Sequence, residues 1–526
     1  MKKVKKEVII LAIFIIIQTI IYVCVGMNKA DLHIDEAYSF GLANYERVEI
    51  QDNEDFYNQW HTKEYFEDYL AVQDKDVGNY TPVYENQKND VHPPLYYLIL
   101  RFAMGFSKDH FTKWTGIIVN IIIYAFITIF MYFILKKLLK DEKNSNLKAS
   151  VLAFMSSIIL ASLSNVVYIR MYALLTLEII ITILLHIKLL ESEKITHKVL
   201  IGIGITVLAG VLTHYYYLFY LVILYFIFLI QYIKEKNIKT LGYYTLTMLT
   251  AGIVSLIIFP YSIQHMFFGY RGQGVISNLE NIYEIIPSIF SQIYNLNYYG
   301  FNNLLYIIVI AMIGILIYNK IRKKGKIEIS KEKKMILKII YLPSIFFFII
   351  TSIASPWKVL RYFVPVCALL FIAIMYYLYK LLQTIGNEKT TNIIMTIVFC
   401  AILVSPFIFK LEPELLYREK KEIVDKLSGE LNLPVIYFNS ENAGFLWDIV
   451  LFSKIEESYM PKDMDLTEEN IQKIFENKDI SSGIIVFING EQDKQDIIDK
   501  MKNFLNFSNS EYLNKVNTSD VYYIHN

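Results

Sequence analysis

The sequence predicts a polytopic α-helical membrane protein that ends in a small α/β domain. Of its 526 residues, 55% are hydrophobic and 19% are charged, and the apolar residues form long blocks instead of short periodic runs. Blocks of about 20 apolar residues have the length needed to cross the hydrocarbon core of a bilayer. After about Lys410 the composition becomes mixed and charged, which indicates a second domain.

About eleven apolar blocks are candidates for membrane spans. The first follows a lysine cluster and resembles a signal peptide in charge, but it has no small-residue cleavage site, so we interpret it as a span. The blocks lie near residues 7–27, 111–135, 149–168, 172–190, 198–215, 217–233, 240–261, 301–319, 335–355, 361–381 and 391–408. We therefore expect a transmembrane domain at 1–408, including a polar loop at 28–110, and a separate domain at 409–526.

Orientation follows from the lysines and arginines between the spans. If the spans alternate, the amino terminus and the basic loops near 136–148, 188–198, 234–239 and 322–334 share one side. The positive-inside rule makes that side cytoplasmic. We expect a multi-pass protein of the cytoplasmic membrane, with its amino terminus inside and its carboxy-terminal domain outside. The loop 28–110 then faces outward.

The carboxy-terminal segment predicts three buried strands and three helices. Continuous apolar runs indicate the strands, and apolar residues at helical spacing indicate the helices. The strands lie at 434–438, 483–488 and 521–524, and the helices at 442–455, 467–476 and 493–505.

Two classes of partner or site are disfavoured. The formal net charge of +1 gives no reason to expect nucleic acid. Cys24, Cys367 and Cys400 all lie in or at apolar spans, so they predict neither a disulfide framework nor a zinc site.

Two motifs bracket the outer loop. Asp35-Glu36 follows the first span closely, at headgroup level, where partial dehydration favours a carboxylate that acts as a general base. The alternative is an acidic first turn on an interfacial helix from Asp35 to Tyr45. His92 precedes Pro93-Pro94, which stiffen the chain and fix its direction, although a lone histidine is more often structural. An interfacial or re-entrant helix follows from Leu95 to Phe106.

Three basic residues, each close to tyrosines, stand at the outer ends of spans. They are Arg170 beside Tyr172, His214 beside Tyr215, and Arg361 beside Tyr362. Each has two possible roles: to extend towards the lipid headgroups, or to bind an anion such as a phosphate.

The ordered set of motifs resembles the GT-C glycosyltransferases. The residues are Asp35-Glu-Ala-Tyr-Ser39, His92-Pro-Pro-Leu-Tyr-Tyr97, Arg170-Met-Tyr-Ala-Leu174, Thr213-His-Tyr-Tyr216 and Arg361-Tyr-Phe363. The pattern is similar to the bacterial relatives of protein O-mannosyltransferases and aminoarabinose transferases, grouped as glycosyltransferase family 39.

The resemblance implies an enzyme that moves a sugar, with inversion, from a polyprenyl-phosphate donor to an acceptor outside the membrane. It makes Asp35 the general base, with Glu36 beside it. His92 stands where related enzymes often have a lysine, so a permanent positive charge is not implied there. The implied donor phosphate and sugar site comprises His92, Arg170, Tyr172, His214, Tyr215, Arg361 and Tyr362.

No cofactor is required for such a transfer, because fixed cations can stabilise a leaving monophosphate. A divalent metal is possible but not indicated, although Asp35, Glu36, Asp90 and His92 offer ligands. The expected partners are the lipid-linked donor, membrane lipids, and an envelope polymer, glycolipid or protein as acceptor. The sequence specifies neither sugar nor acceptor.

Two alternatives belong to other functional classes. A lipid or solute transporter would share the spans, but transporters usually place polar groups near the bilayer midplane and contain internal repeats. Here Glu178 is the main charge deep in a span, and no repeat is evident. A receptor-like protein with an outer ligand-binding domain would leave the ordered motifs unexplained.

Overall fold

The structure, a computed structural model, describes residues 2–45, 50, 56–192, 196–323, 327–438, 444–462, 466–490 and 493–526. It is mainly helical with one six-stranded sheet, which confirms the predicted fold class. Part of the predicted helix at 442–455 lies outside the described residues.

The α-helices are numbered in chain order. They are α1 (Lys2–Met27), α2 (Ile34–Asn44), α3 (Lys63–Leu70), α4 (Thr81–Asn89), α5 (Leu95–Met104), α6 (Trp114–Leu138), α7 (Ser145–Ser157), α8 (Leu160–Val167), α9 (Tyr172–Glu191), α10 (His197–Thr213), α11 (Tyr217–Lys234), α12 (Ile238–Ile258), α13 (Tyr270–Glu280), α14 (Ile282–Asn295), α15 (Leu305–Ile321), α16 (Lys331–Ala354), α17 (Val364–Ile385), α18 (Glu388–Phe409), α19 (Lys421–Asp425), α20 (Ile449–Phe452), α21 (Glu468–Phe475) and α22 (Lys494–Leu505).

Eight of the described helices are long and apolar enough to cross a membrane: α1, α6, α9, α11, α12, α16, α17 and α18. The number rises to ten if each of two bent pairs forms one span. One pair is α7 with α8, bent by 59°; the other joins Ile282–Gly300 to α15, bent by 96°. The remaining predicted span, 198–215, corresponds to α10, an apolar helix of 17 residues.

The chain divides into two compact units. We call Met1–Val25, Asp90–Tyr96 and Ile117–Glu414 the membrane unit, and Gly26–Asn89, Tyr97–Gly116 and Leu415–Asn526 the loop–tail unit. This division differs from a boundary at 408/409, because most of the loop 28–110 folds with the carboxy-terminal segment.

Inside the membrane unit, several polar side chains of different helices are paired with each other or with backbone. Gln18 of α1 accepts hydrogen bonds from Thr128 of α6 and Ser157 of α7. Asn120 of α6 donates to the carbonyls of Val166 and Tyr168, at 3.2 and 2.9 Å. The second interaction fixes the chain just after α8, because an unpaired carbonyl is costly in an apolar interior.

The loop–tail unit is built on a sheet with the strand order β1-β3-β2-β4-β6-β5. The strands are β1 (Trp60–Thr62), β2 (Val435–Phe438), β3 (Glu457–Tyr459), β4 (Ile484–Asn489), β5 (Asn509–Val516) and β6 (Ser519–His525). Strand β2 is parallel to β3 and to β4, and the other pairs are antiparallel.

The core of this sheet lies between β2, β4 and the helices α21 and α22. Ile436 and Val486 pack with Ile471 of α21 and Met501 of α22, and all four side chains are buried. Every residue of β2 and β4 is buried, as expected for strands covered on both faces.

Candidate active site

The predicted site residues fall in both units. Asp35 and Glu36 belong to the loop–tail unit, and the other predicted residues belong to the membrane unit. Those others are His92, Arg170, Tyr172, His214, Tyr215, Arg361 and Tyr362.

Arg170 lies in the turn between α8 and α9. The bond from Asn120 to the Tyr168 carbonyl holds the start of this turn, and the Arg170 amide donates to the same carbonyl at 2.8 Å. The rings of Tyr168 and Tyr172 stack with centroids 5.8 Å apart. Arg170 is only 5% exposed, so this guanidinium is held inside the protein and does not extend into solvent.

His92 is held by a carboxylate two residues earlier in the chain. Its Nδ1 lies 2.8 Å from Oδ2 of Asp90, and both side chains are 19% exposed. Burial raises the pKa of Asp90, but the charge and hydrogen bond of His92, with the charge of Arg170, outweigh it and bring the pKa below its ordinary value. Asp90 therefore stays ionised and orients the imidazole.

His214 follows the last residue of α10 and is buried. The Tyr216 amide donates to its Nδ1 at 3.0 Å, so a neutral ring carries its proton on Nε2. Burial, and then the charges of His92 and Arg170, hold the pKa of His214 well below its ordinary value. His214 is thus a neutral hydrogen-bond donor at pH 7, which differs from the expectation that it supplies a fixed cation.

Arg361 lies in a single 3₁₀ turn, Leu360–Tyr362, between α16 and α17. Its Nη1 donates to Oη of Tyr168 at 3.1 Å. Its Cζ is 5.2 Å from the ring centroids of both Trp357 and Tyr362. The guanidinium of Arg271, in α13, also lies against Trp357, with its Cζ 4.7 Å from the ring centroid.

Aromatic rings connect these charged groups into one cluster. The His214 ring is 6.0 Å from His92 and 5.6 Å from Tyr172, and Tyr172 is 6.5 Å from Tyr362. We call this set the basic–aromatic cluster. It comprises Asp90, His92, Tyr168, Arg170, Tyr172, His214, Tyr216, Arg271, Trp357, Arg361 and Tyr362.

The cluster brings guanidinium groups together with aromatic faces. The charge of Arg170 acts on Asp90, and the charge of Arg361 acts on Glu414. Burial raises the pKa of Glu414, against the opposing effects of Tyr299 and Arg361. Guanidinium groups against aromatic faces retain fixed donor geometry for phosphate oxygens.

Several residues in or near the cluster were not predicted as site residues: Asp90, Tyr168, Tyr216, Arg271, Trp357 and His265. Arg271 and Trp357 belong to it directly, and His265 accepts or donates a 2.9 Å hydrogen bond with Oη of the predicted Tyr215. Arg271 and His265 fall in the loop 262–300, which has no motif. Arg271 is the one lysine or arginine in that segment, and this is the signal that the sequence offers for it.

Asp35 lies in the first turn of α2. The Nδ1 of His33, the residue that caps this helix, accepts the Asp35 amide at 3.0 Å. The same nitrogen lies 3.6 Å from Oδ2 of Asp35, whose side chain is 27% exposed. His33 therefore fixes the backbone amide of Asp35, while the Asp35 carboxylate stays accessible.

Glu36 has a different environment. Its side chain is fully buried, and its Oε2 accepts hydrogen bonds from Lys29 Nζ at 2.8 Å and from the His33 amide at 2.7 Å. Lys29 also donates to the Leu415 carbonyl at 2.7 Å. Glu36 thus closes the helix cap and joins the start of the loop to the carboxy-terminal segment.

Within the described part of the chain, no group of three or more His, Cys, Asp or Glu side chains is arranged to hold a metal.

The spans, the outer-loop helices and the terminal sheet define a polytopic membrane protein of the GT-C fold. The chain is similar to ArnT from Cupriavidus metallidurans bound to undecaprenyl phosphate, with 7% identity, 97% of each chain covered and a TM-score of 0.51. The same protein in the apo state gives 9% identity and a TM-score of 0.49, again over 97% of each chain.

A third solved structure is AglB, the oligosaccharyltransferase of Archaeoglobus fulgidus, with an inhibitory peptide and dolichol phosphate. It is 11% identical, with 97% of this chain and 74% of that chain covered, and has a TM-score of 0.45. No protein-family model and no curated protein matches the chain. The fold thus confirms the GT-C resemblance that the ordered motifs predict.

Proposed function

We propose that the chain is a glycosyltransferase that takes a sugar from a polyprenyl-phosphate donor and transfers it, with inversion, to an acceptor outside the cytoplasmic membrane. The observation that supports this most directly is the basic–aromatic cluster, in a protein that shares the fold of an ArnT structure holding undecaprenyl phosphate. The acceptor is an envelope polymer, a glycolipid or a protein.

The cluster binds the donor phosphate. Arg170, Arg271 and Arg361 supply fixed positive charge, and His214 donates a hydrogen bond from Nε2. As the glycosidic bond breaks, negative charge grows on the leaving phosphate oxygen, and these groups stabilise it without rearrangement. Tyr172 and Tyr362 offer ring faces and hydroxyl groups to the sugar.

Asp35 is the general base in this proposal. In a single displacement with inversion, the base removes the proton of the acceptor hydroxyl while that oxygen attacks the anomeric carbon and the phosphate leaves. An accessible carboxylate suits this role, whereas Glu36 is buried in an ion pair and positions the helix.

Donor binding is tested by titrating the purified full chain in detergent with undecaprenyl phosphate. Arg361→Ala should weaken binding by about 10- to 100-fold, because charge-assisted hydrogen bonds are lost. Arg322→Ala is the matched control, since Arg322 is an exposed arginine of the same unit that packs against Tyr318. Unchanged affinity in Arg361→Ala would assign Arg361 to lipid headgroups instead.

Transfer is tested by mass analysis of envelope glycolipids, polymers and proteins from cells with the chain, without it, and with Asp35→Asn. One glycan should disappear both from cells without the chain and from cells with Asp35→Asn. If a glycan disappears without the chain but persists with Asp35→Asn, the chain is a transferase but Asp35 is not its general base. Identical envelopes in all three would favour a transporter.

A further inference from the structure

A second basic site lies in the loop–tail unit, outside the basic–aromatic cluster. A cavity of about 280 Å³ is lined by Lys29, Lys113, Arg418, Lys421 and Lys454. Of its lining residues, Asp425 is the one carboxylate. The volume equals that of about nine water molecules, which is enough for a phosphate and the adjoining part of a lipid headgroup.

Several positive charges lie close together in this cavity. Burial and, to a smaller extent, the charges of Lys29, Lys454 and Lys421 together lower the pKa of Lys113 to about 8. Each of these three lysines repels the Lys113 ammonium. Mutual repulsion of this kind is relieved by binding an anion.

The cavity lies where the chain meets the membrane. Met27, the last residue of the candidate span α1, forms part of its wall, and Lys29 follows two residues later. Lys113 immediately precedes Trp114, the first residue of the candidate span α6. Both lysines therefore stand at headgroup level, where lipid phosphates are found.

Topology does not explain these charges. In the predicted orientation α1 runs outward, so Lys29 and Lys113 lie at the outer ends of two spans. The positive-inside rule disfavours lysine at such positions. Lys29 is used by the Glu36 ion pair, but that pairing leaves Lys113, Lys421 and Lys454 to be explained.

We propose that this cavity binds the phosphate headgroup of an anionic membrane lipid. The inference stands apart from the proposed transferase activity, because it uses residues of the loop–tail unit that take no part in donor binding. A lipid held here anchors the loop–tail unit to the membrane surface at the ends of α1 and α6.

The test follows the acylation rate of Lys113 at pH 8 by peptide mass spectrometry. The full chain is placed in nanodiscs of phosphatidylcholine alone or with phosphatidylglycerol. A bound phosphate covers the amine and raises its pKa, so labelling should slow by about tenfold or more in the anionic discs. Equal labelling in both discs overturns the proposal.

Variants separate this site from general surface charge. Lys421→Ala with Lys454→Ala should weaken lipid binding by about 30-fold, since each headgroup-level cation contributes roughly a factor of five, and protection should be lost. Lys421→Arg with Lys454→Arg keeps the charges and should keep protection. Lys473→Ala with Lys515→Ala removes two exposed lysines elsewhere in this unit and should have no effect; loss of protection there overturns the proposal.

A third arm adds inorganic phosphate to phosphatidylcholine discs. Protection by the lipid alone supports a headgroup site. Protection by millimolar phosphate equal to that by phosphatidylglycerol overturns the lipid assignment, because the cavity would then be a site for a soluble phosphate.

Discussion

At the scale of single residues, the adjacent carboxylates Asp35 and Glu36 have different surroundings. Asp35 is partly exposed beside His33, while Glu36 is buried against Lys29. Neighbouring residues on a helix point about 100° apart, so one carboxylate turns towards the surface and the other into the protein. We expect a substitution at Asp35 to lower turnover and a substitution at Glu36 to lower stability.

The first prediction separates chemistry from stability. Asp35→Asn cannot accept the acceptor's proton, so turnover per folded molecule should fall by about 10² to 10⁴, with donor binding retained. Glu36→Gln should instead lower the free energy of unfolding by about 3 kcal/mol, because it leaves the buried Lys29 charge unpaired. Turnover and thermal unfolding of the purified chains provide both measurements.

A double variant serves as the control for Glu36. Lys29→Met with Glu36→Gln removes both charges, so much of the lost stability should return. Near-normal turnover in Asp35→Asn would contradict the assignment of the base and direct attention to Glu36 or Asp90. A Glu36→Gln chain of normal stability would show that the ion pair is not structural.

The second prediction concerns the protonation state of His214. Because its pKa lies well below 6.5, this ring stays neutral from pH 6 to 8 and should add nothing to the pH dependence of binding. His214→Gln keeps a neutral donor, so a phosphodiester donor analogue should bind with the same pH profile as in the unmodified chain. His214→Ala should weaken binding by about tenfold at every pH.

The measurement is isothermal titration across that pH range. If binding affinity changes with pH near neutrality in the unmodified chain but not in His214→Gln, then His214 itself titrates in that range. The substitution would then have removed a cation and not only a neutral hydrogen-bond donor.

At the scale of helices and strands, apolar pattern decides what can be predicted from sequence. Strands β2, β4 and β6 are predictable because continuous apolar runs mark them. Strands β1 and β3 have three residues each, and all but two residues of β5 are exposed. Such short or edge strands have no hydrophobic signature, and β1 depends on pairing with residues about 400 positions away.

The third prediction tests this long-range pairing. Trp60 of β1 packs on Tyr459 and Phe475 with ring centroids 5.5 Å away in each case, and its Nε1 donates to the Ile474 carbonyl at 2.9 Å. Trp60→Ala should therefore lower the free energy of unfolding by about 3 kcal/mol. Thermal unfolding measures the size of this loss of stability, and faster proteolysis within 56–89 would show that it arises in that segment.

Tyr512→Ala is the control for Trp60. Tyr512 lies on the opposite edge strand β5 and is 52% exposed, so its loss should have a small effect. If Trp60→Ala behaves like Tyr512→Ala, then β1 adds little to the sheet and the loop folds without it.

At the scale of the whole molecule, the site residues that can be predicted from sequence are those that alternating spans would place on one side of the membrane. Arg170, His214 and Arg361 were predicted because each stands at the predicted outer end of a span, and His92 because Pro93-Pro94 follow it in the predicted outer loop. Arg271 was not, since its role depends on Trp357, 86 positions later in a different connecting segment. The pairing of Lys29 with Glu36 was likewise hidden, because sequence does not show which carboxylate is buried.

The last prediction tests the alternation itself. The orientation places Arg322, at the end of α15, in the cytoplasm and Ser510, on β5, outside. Both residues are exposed within the protein, so a cysteine at either position reacts according to the side of the membrane it faces. Cys24, Cys367 and Cys400 are first replaced by alanine to leave a single reactive thiol.

In intact cells a membrane-impermeant maleimide should label Ser510→Cys and not Arg322→Cys, while permeabilised cells should give label at both. The permeabilised sample is the control that both thiols are accessible. Labelling of Arg322→Cys alone in intact cells would invert the orientation. An inverted chain would place the basic–aromatic cluster's outward-end residues in the cytoplasm, and the proposed transfer to an acceptor outside the membrane would fail with it.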